Sequence, residues 1–184
     1  MMRFLPLVLV AGCSDDISTI NSGELITTVV MTFSANGTDV VATADDPDGD
    51  GGAPPAIDPI NLAPGTYALS VRFQNRLEDP PEEITEEVGD ESDVHQVFFT
   101  GTAATGPLML SYADTDANGL PIGLANSVVA TAGTGMLTVT LRHMPPINDT
   151  PVKTADLADS VKQSGTASLP GESDAVVTFG VAVQ

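Results

Sequence analysis

Tryptophan is absent from this 184-residue chain, and aromatic residues of all kinds make up 4% of it. Any core must therefore be assembled from Val, Leu, Ile, Ala and Met around a handful of Phe. Cys13 is the only cysteine, so no intrachain disulfide can form. Basic residues are scarce: six Lys and Arg stand against 25 Asp and Glu, a formal net charge of −19. Such a chain repels phosphate backbones, so nucleic acid is not an expected partner. The acidity fits cation binding or plain solubility. Long apolar runs are missing as well, and so is any sustained 3.6-residue periodicity, which argues against a helical or an alternating α/β fold.

What stands at the start explains the lone cysteine. Met1-Met2-Arg3 is a short positive segment, and Phe4 to Val10 is an apolar run too short to span a bilayer. Val10-Ala11-Gly12-Cys13 then matches a bacterial lipobox: an aliphatic residue, two small residues that let a signal peptidase approach the backbone, and the cysteine that takes the lipid. Residues 1–12 are expected to be a signal peptide, Cys13 the lipidation site, residues 13–22 a polar tether and residues 23–184 the folded domain. Ser14 follows the cysteine where inner-membrane retention would want Asp, and by similarity to enterobacterial lipoproteins this places the anchor in the outer membrane.

Two acidic loops recur 68 residues apart. Asp46-Pro47-Asp48-Gly49-Asp50-Gly51 and Asp114-Thr115-Asp116-Ala117-Asn118-Gly119 both read Asp-x-Asp-x-(Asp/Asn)-Gly, the opening of an EF-hand-type calcium loop. Alternate carboxylates converge in such a turn, and three of them without a cation would repel one another. Asp46, Asp48 and Asp50 with the Gly52 carbonyl, and Asp114, Asp116 and Asn118 with the Leu120 carbonyl, are the expected ligands. Asp45 is an additional candidate in the first loop. At position twelve an EF-hand has a bidentate Glu, but here it is Ile57 and Ala125, so these are not EF-hands. Asp58 and Asn126, one residue on, would close each shell. Calcium is the expected ion, more strongly in the first loop, which carries more charge. The competing reading is that Asp-Gly and Asn-Gly runs are ordinary turns.

The same offset relates Val29-Val30-Met31-Thr32 to Val97-Phe98-Phe99-Thr100, and Gly65 to Val71 to Gly133 to Val139. Residues 25–73 thus overlay 93–141 without a gap, with ten of 49 positions identical. A duplicated β unit accounts for the shared offset. β-branched runs, the alternation Tyr67, Leu69, Val71, Phe73 and the turn pair Asn36-Gly37 mark strands and a hairpin. The pattern predicts eight or nine strands in an all-β, antiparallel immunoglobulin-like sandwich. The acidic stretch 78–93 fits a helical turn around Ile84 and Val88 or an edge strand, and Ala155–Val161 fits either state. Glu172-Ser173-Asp174 repeats Glu91-Ser92-Asp93, and the strand after it is expected to return and complete a sheet.

No nucleophile motif, phosphate loop or His-Glu-x-x-His is present. His95 and His143, the only histidines, have no metal-ligand spacing, so a structural role is expected of them and no enzymatic activity of the chain. The expected function is a lipid-anchored envelope sandwich, calcium-stabilised, in a structural or adhesive role. Glu24 to Val29, Asp46 to Gly52, Glu91 to Gln96 and Leu137 to His143 resemble a family of small uncharacterised lipoproteins of Bacteroidetes-type bacteria. Some members carry a type 1 periplasmic-binding-fold label, which this strand pattern does not match. The resemblance brings no catalytic residues. It implies, as the alternative function, ligand capture beside an outer-membrane transporter of the TonB-dependent kind.

Overall fold

The computed structural model describes residues 25–46, 48, 49, 53–162 and 164–184. Cys13, the lipobox, the tether and Asp50, Gly51 and Gly52 of the first acidic loop lie outside the described residues. Over the described residues the protein is a sandwich-like β structure of two sheets with two short helices, α1 (Thr85–Asp90) and α2 (Leu157–Val161). Among the described residues no helix is long and apolar enough to cross a membrane.

The larger sheet holds seven strands in the order β3 (Ala56–Ile57), β2 (Thr38–Asp45), β1 (Thr28–Ala35), β5 (Gly65–Asn75), β9 (Ala125–Ala130), β8 (Leu108–Tyr112), with β6 (Glu82–Glu83) on β5. The smaller sheet runs β4 (Ile60–Leu62), β11 (Glu172–Val183), β10 (Gly133–His143), β7 (His95–Thr100). All pairings are antiparallel except β4 on β11, which is parallel. The strand count of eleven exceeds the sequence expectation because β3, β4 and β6 are only two or three residues long.

Local chemistry accounts for these elements. Asn36 (φ 51°) and Gly37 (φ 76°) supply the two positive φ angles of a two-residue hairpin, which sets Ala35 opposite Thr38. On β5, Leu69, Val71 and Phe73 are buried, and the residues between them face out. They meet Leu137, Val139, Leu141 and Phe179 of the other sheet in one core. In β7 every residue is buried, because both faces are covered. Val97 and Phe99 join the main core, whereas Phe98 packs outward with Met144, Ala158 and Val161 under α2. The acidic stretch takes both forms that its pattern allowed: β6 is followed directly by α1, with Ile84 and Val88 buried four residues apart.

Strand order separates the two halves of the chain more than their matching sequence suggests. β2 lies beside β1, but β8 sits in the larger sheet while β7 is in the smaller one. β1 and β5 nevertheless pair with Val29 opposite Phe73, and β7 and β10 with Val97 opposite Leu141.

Candidate functional site

The two acidic loops are built differently. In the second, the turn closes on itself. Asp116 donates its amide to the Leu120 carbonyl (2.8 Å), and its Oδ1 accepts the amides of Asn118 and Leu120, each at 2.9 Å. Its Oδ2 accepts from Lys153 Nζ at 3.0 Å, and that ammonium also donates to the Ser92 carbonyl at 2.6 Å. Both side chains are almost fully buried, at 1% and 0% exposure. Burial pushes the Asp116 carboxyl up, but the Leu120 amide, Lys153 and the Asn118 amide outweigh it and hold it below the usual carboxylate range. Asp114 accepts the amides of Gly123 and Ala125, both at 2.8 Å. Asn126 donates from Nδ2 to the Gly123 carbonyl, and its Oδ1 is buried without a partner. Asn118 is exposed. The expected ligands Asp116 and Leu120 are therefore engaged within the protein, and the positive charge beside Asp116 is a lysine. Nothing local in the sequence points to it, because Lys153 lies 37 residues away.

The first loop leaves more of its oxygens open. Asp46 donates its amide to the Thr27 carbonyl at 2.8 Å, while its buried Oδ1 has no partner. Asp48 is exposed and accepts the Ala53 amide at 3.2 Å. Asp58 is exposed, and its carboxylate accepts the Thr43 amide at 3.1 Å. Asp45 accepts from the Thr28 hydroxyl at 2.6 Å and lies 3.5 Å from Arg76.

Asp46 also lines a pocket of 190 Å³ at one rim of the sandwich, between the β1–β2 end of the large sheet and β11. Across it stands Asp174, whose Oδ2 is likewise buried without a hydrogen-bond partner. Asp174 is the extra residue of a β-bulge: β10 and β11 pair Leu141 with Ala175 but Arg142 with Ser173. A bulge re-aims the side chain it releases. Arg142 braces this bend by donating to the carbonyls of Leu169, Pro170 and Gly171 and to the Ser173 hydroxyl.

Behind Asp174 are the two histidines, neighbours in space though 48 positions apart in the chain. β7 and β10 pair His95 with His143, and the rings stack with centroids 4.8 Å apart and planes 19° from parallel. His95 Nε2 lies 3.6 Å from Asp174 Oδ2. Its Nδ1 lies 3.2 Å from the Glu91 carbonyl and 3.9 Å from the Glu91 carboxylate. Glu91, His95 and His143 each offer a ligand atom within 4.8 Å of the others'. Burial holds His95 below the usual histidine range, against the upward pull of the Glu91 carbonyl and Asp174. Burial likewise raises Asp174, against the downward pull of the histidines. Sequence spacing missed this cluster. The signal that bore on it was the repeated Glu-Ser-Asp tripeptide, for Glu91 and Asp174 come one from each copy.

No protein-family model matches the chain, and no curated protein or solved structure matches it either.

Proposed function

We propose that the protein is a lipid-anchored cell-envelope module: a sandwich tethered through Cys13 to the outer membrane, stiffened by calcium at the first acidic loop, with a structural or adhesive role. The observation that carries this reading is the lone cysteine at the end of Val10-Ala11-Gly12-Cys13, behind a short basic and apolar leader. Calcium at the first loop is supported by its Asp-x-Asp-x-Asp-Gly sequence and the unpartnered Asp46 Oδ1; among the described residues the carboxylates of Asp46, Asp48 and Asp58 are not gathered into one cluster, so an ion would draw them together. The proposal does not extend to the second loop, where Lys153 stands beside Asp116. Asp114, Asn118 and Asn126 then serve the turn and its strand.

We also read the sandwich as immunoglobulin-like in the broad sense and built from a duplicated unit. Register supports the duplication: shifting both members of the pair Val29–Phe73 by 68 residues gives the pair Val97–Leu141. A ligand-capture role beside an outer-membrane transporter is the second reading. The rim pocket of 190 Å³ is smaller than the roughly 300–1,000 Å³ usual for small-molecule sites, and the larger hollows, 410 Å³ along β10 and β11 and 620 Å³ beside α2, are open surface grooves, which ranks capture behind a structural role.

The test of anchoring is mass spectrometry of the protein extracted from membranes. The mature chain is expected to begin at a lipid-modified Cys13, and Cys13→Ala to leave the leader uncleaved at this site. An unmodified Cys13 in the wild-type protein would overturn the anchor.

A further inference from the structure

We propose that Glu91, His95 and His143 bind a divalent transition-metal ion of the zinc class, with Asp174 orienting the His95 ring from behind. The ligand set suits such an ion: two imidazoles and a carboxylate favour zinc, copper or nickel over calcium or magnesium.

The geometry is close to what a tetrahedral ion requires. Ligands at zinc bond lengths of roughly 2.0–2.2 Å stand about 3.3–3.5 Å apart. His95 Nδ1 and the Glu91 carboxylate are 3.9 Å apart, and all three ligand atoms lie within 4.8 Å of one another. Closure needs the Glu91 side chain, 60% exposed, to approach and the half-buried His143 ring to turn out of its 19° stack on His95, so that both imidazole lone pairs meet at one point. His95 and His143 are held on adjacent strands by the pairing of β7 with β10.

The position of Asp174 is the independent observation. Metal-bound histidines commonly donate their second ring N–H to a carboxylate or carbonyl. Without an ion, the tautomer of a neutral His95 that donates Nδ1–H to the Glu91 carbonyl turns the Nε2 lone pair toward Asp174 Oδ2 at 3.6 Å. That leaves a carboxylate oxygen, on a side chain only 10% exposed, with no hydrogen-bond partner. With an ion on Nδ1, the hydrogen bond to the Glu91 carbonyl is given up and that oxygen turns aside from the ion, the ring proton resides on Nε2, and Asp174 accepts it. The ring stays neutral throughout, one proton changing nitrogen. The metal thus completes a contact for which the bulge has already placed Asp174.

The experiment is a titration of the full-length chain with cobalt(II), read by its visible absorption, followed by displacement with zinc. One equivalent is expected to give the d–d bands of a low-coordinate site with nitrogen ligands, and zinc to remove them. His143→Ala, at a half-buried strand end, is expected to abolish the bands, and Glu91→Gln to weaken binding. Asp174→Asn is expected to weaken it by about 10- to 100-fold, the range for residues that support a ligand from behind. Asp48→Ala, in the calcium loop, is expected to leave cobalt binding unchanged, so this site and the calcium loop fail or stand separately. Equal bands in wild type and a folded His143→Ala protein, or no bands in wild type, would overturn the site.

Discussion

Lys153 carries one of only six basic side chains in the sequence, and the fold buries it against Asp116. Removing one member of a buried pair leaves the other charged and unsolvated, at a cost of about 3–5 kcal/mol. Lys153→Met is expected to lose stability of that order in urea denaturation at pH 7, and Lys153→Met with Asp116→Asn to recover part of it. The sign with pH follows from the direction of the Asp116 shift. Its carboxyl lies below the ordinary range in the folded protein, so its contribution is present above an unfolded value of about 4 and lost as pH falls through the lower folded value. The gap between wild type and Lys153→Met should therefore narrow toward pH 4, where the variant's unpaired carboxylate takes up a proton. A gap constant from pH 7 to pH 4 would remove Lys153 as the counter-charge.

At the scale of elements, the strands were legible because a pleated, half-buried strand writes its two faces into alternate residues. Leu69, Val71 and Phe73 show this, as does the Asn36-Gly37 turn, whose backbone requirement is local. Which strands become neighbours was not legible. Nothing local distinguishes β8 beside β9 from β8 beside β7, or foretells the parallel pairing of β4 with β11. The histidine cluster depends on such a pairing, and on a bulge at Asp174 whose cause lies in Arg142 and the turn it braces. That turn contains Gly171 at φ 79°, where an added Cβ would lie 1.9 Å from the His143 carbonyl oxygen. Gly37 has a similar φ of 76° but open space around it. Gly37→Ala is expected to cost about 1 kcal/mol or somewhat more from backbone strain alone. Gly171→Ala is expected to cost several-fold more, because the end of β10 must move. Denaturant midpoints of the two variants measure the difference, and equal midpoints would contradict the tight approach.

For the molecule as a whole, charge is the dominant fact, and the two acidic loops deal with it in different ways. Both loops follow strands, as expected, and the first, with more charge, had the stronger claim to calcium; what the sequence did not foretell is the lysine in the second. The second has a lysine delivered from a distant connection, whereas the first has no such lysine among the described residues and leaves Asp46 Oδ1 unpartnered. A calcium ion is proposed to fill this place. An ion that binds only the folded chain stabilises it by about 2.7 kcal/mol at a hundredfold excess over Kd. That corresponds to a rise in Tm on the order of 5–10 °C for a chain of this size. The most direct measurement is the Tm of the chelator-treated protein with calcium and with magnesium at matched ionic strength, in wild type and Asp48→Ala. Calcium is predicted to raise the wild-type Tm well above magnesium, which demands a tighter octahedron and keeps its waters, and Asp48→Ala to lose most of the difference. Equal effects of the two ions, with Asp48→Ala responding as wild type does, would mean that any cation merely screens the charge of −19 and that the first loop is only a turn.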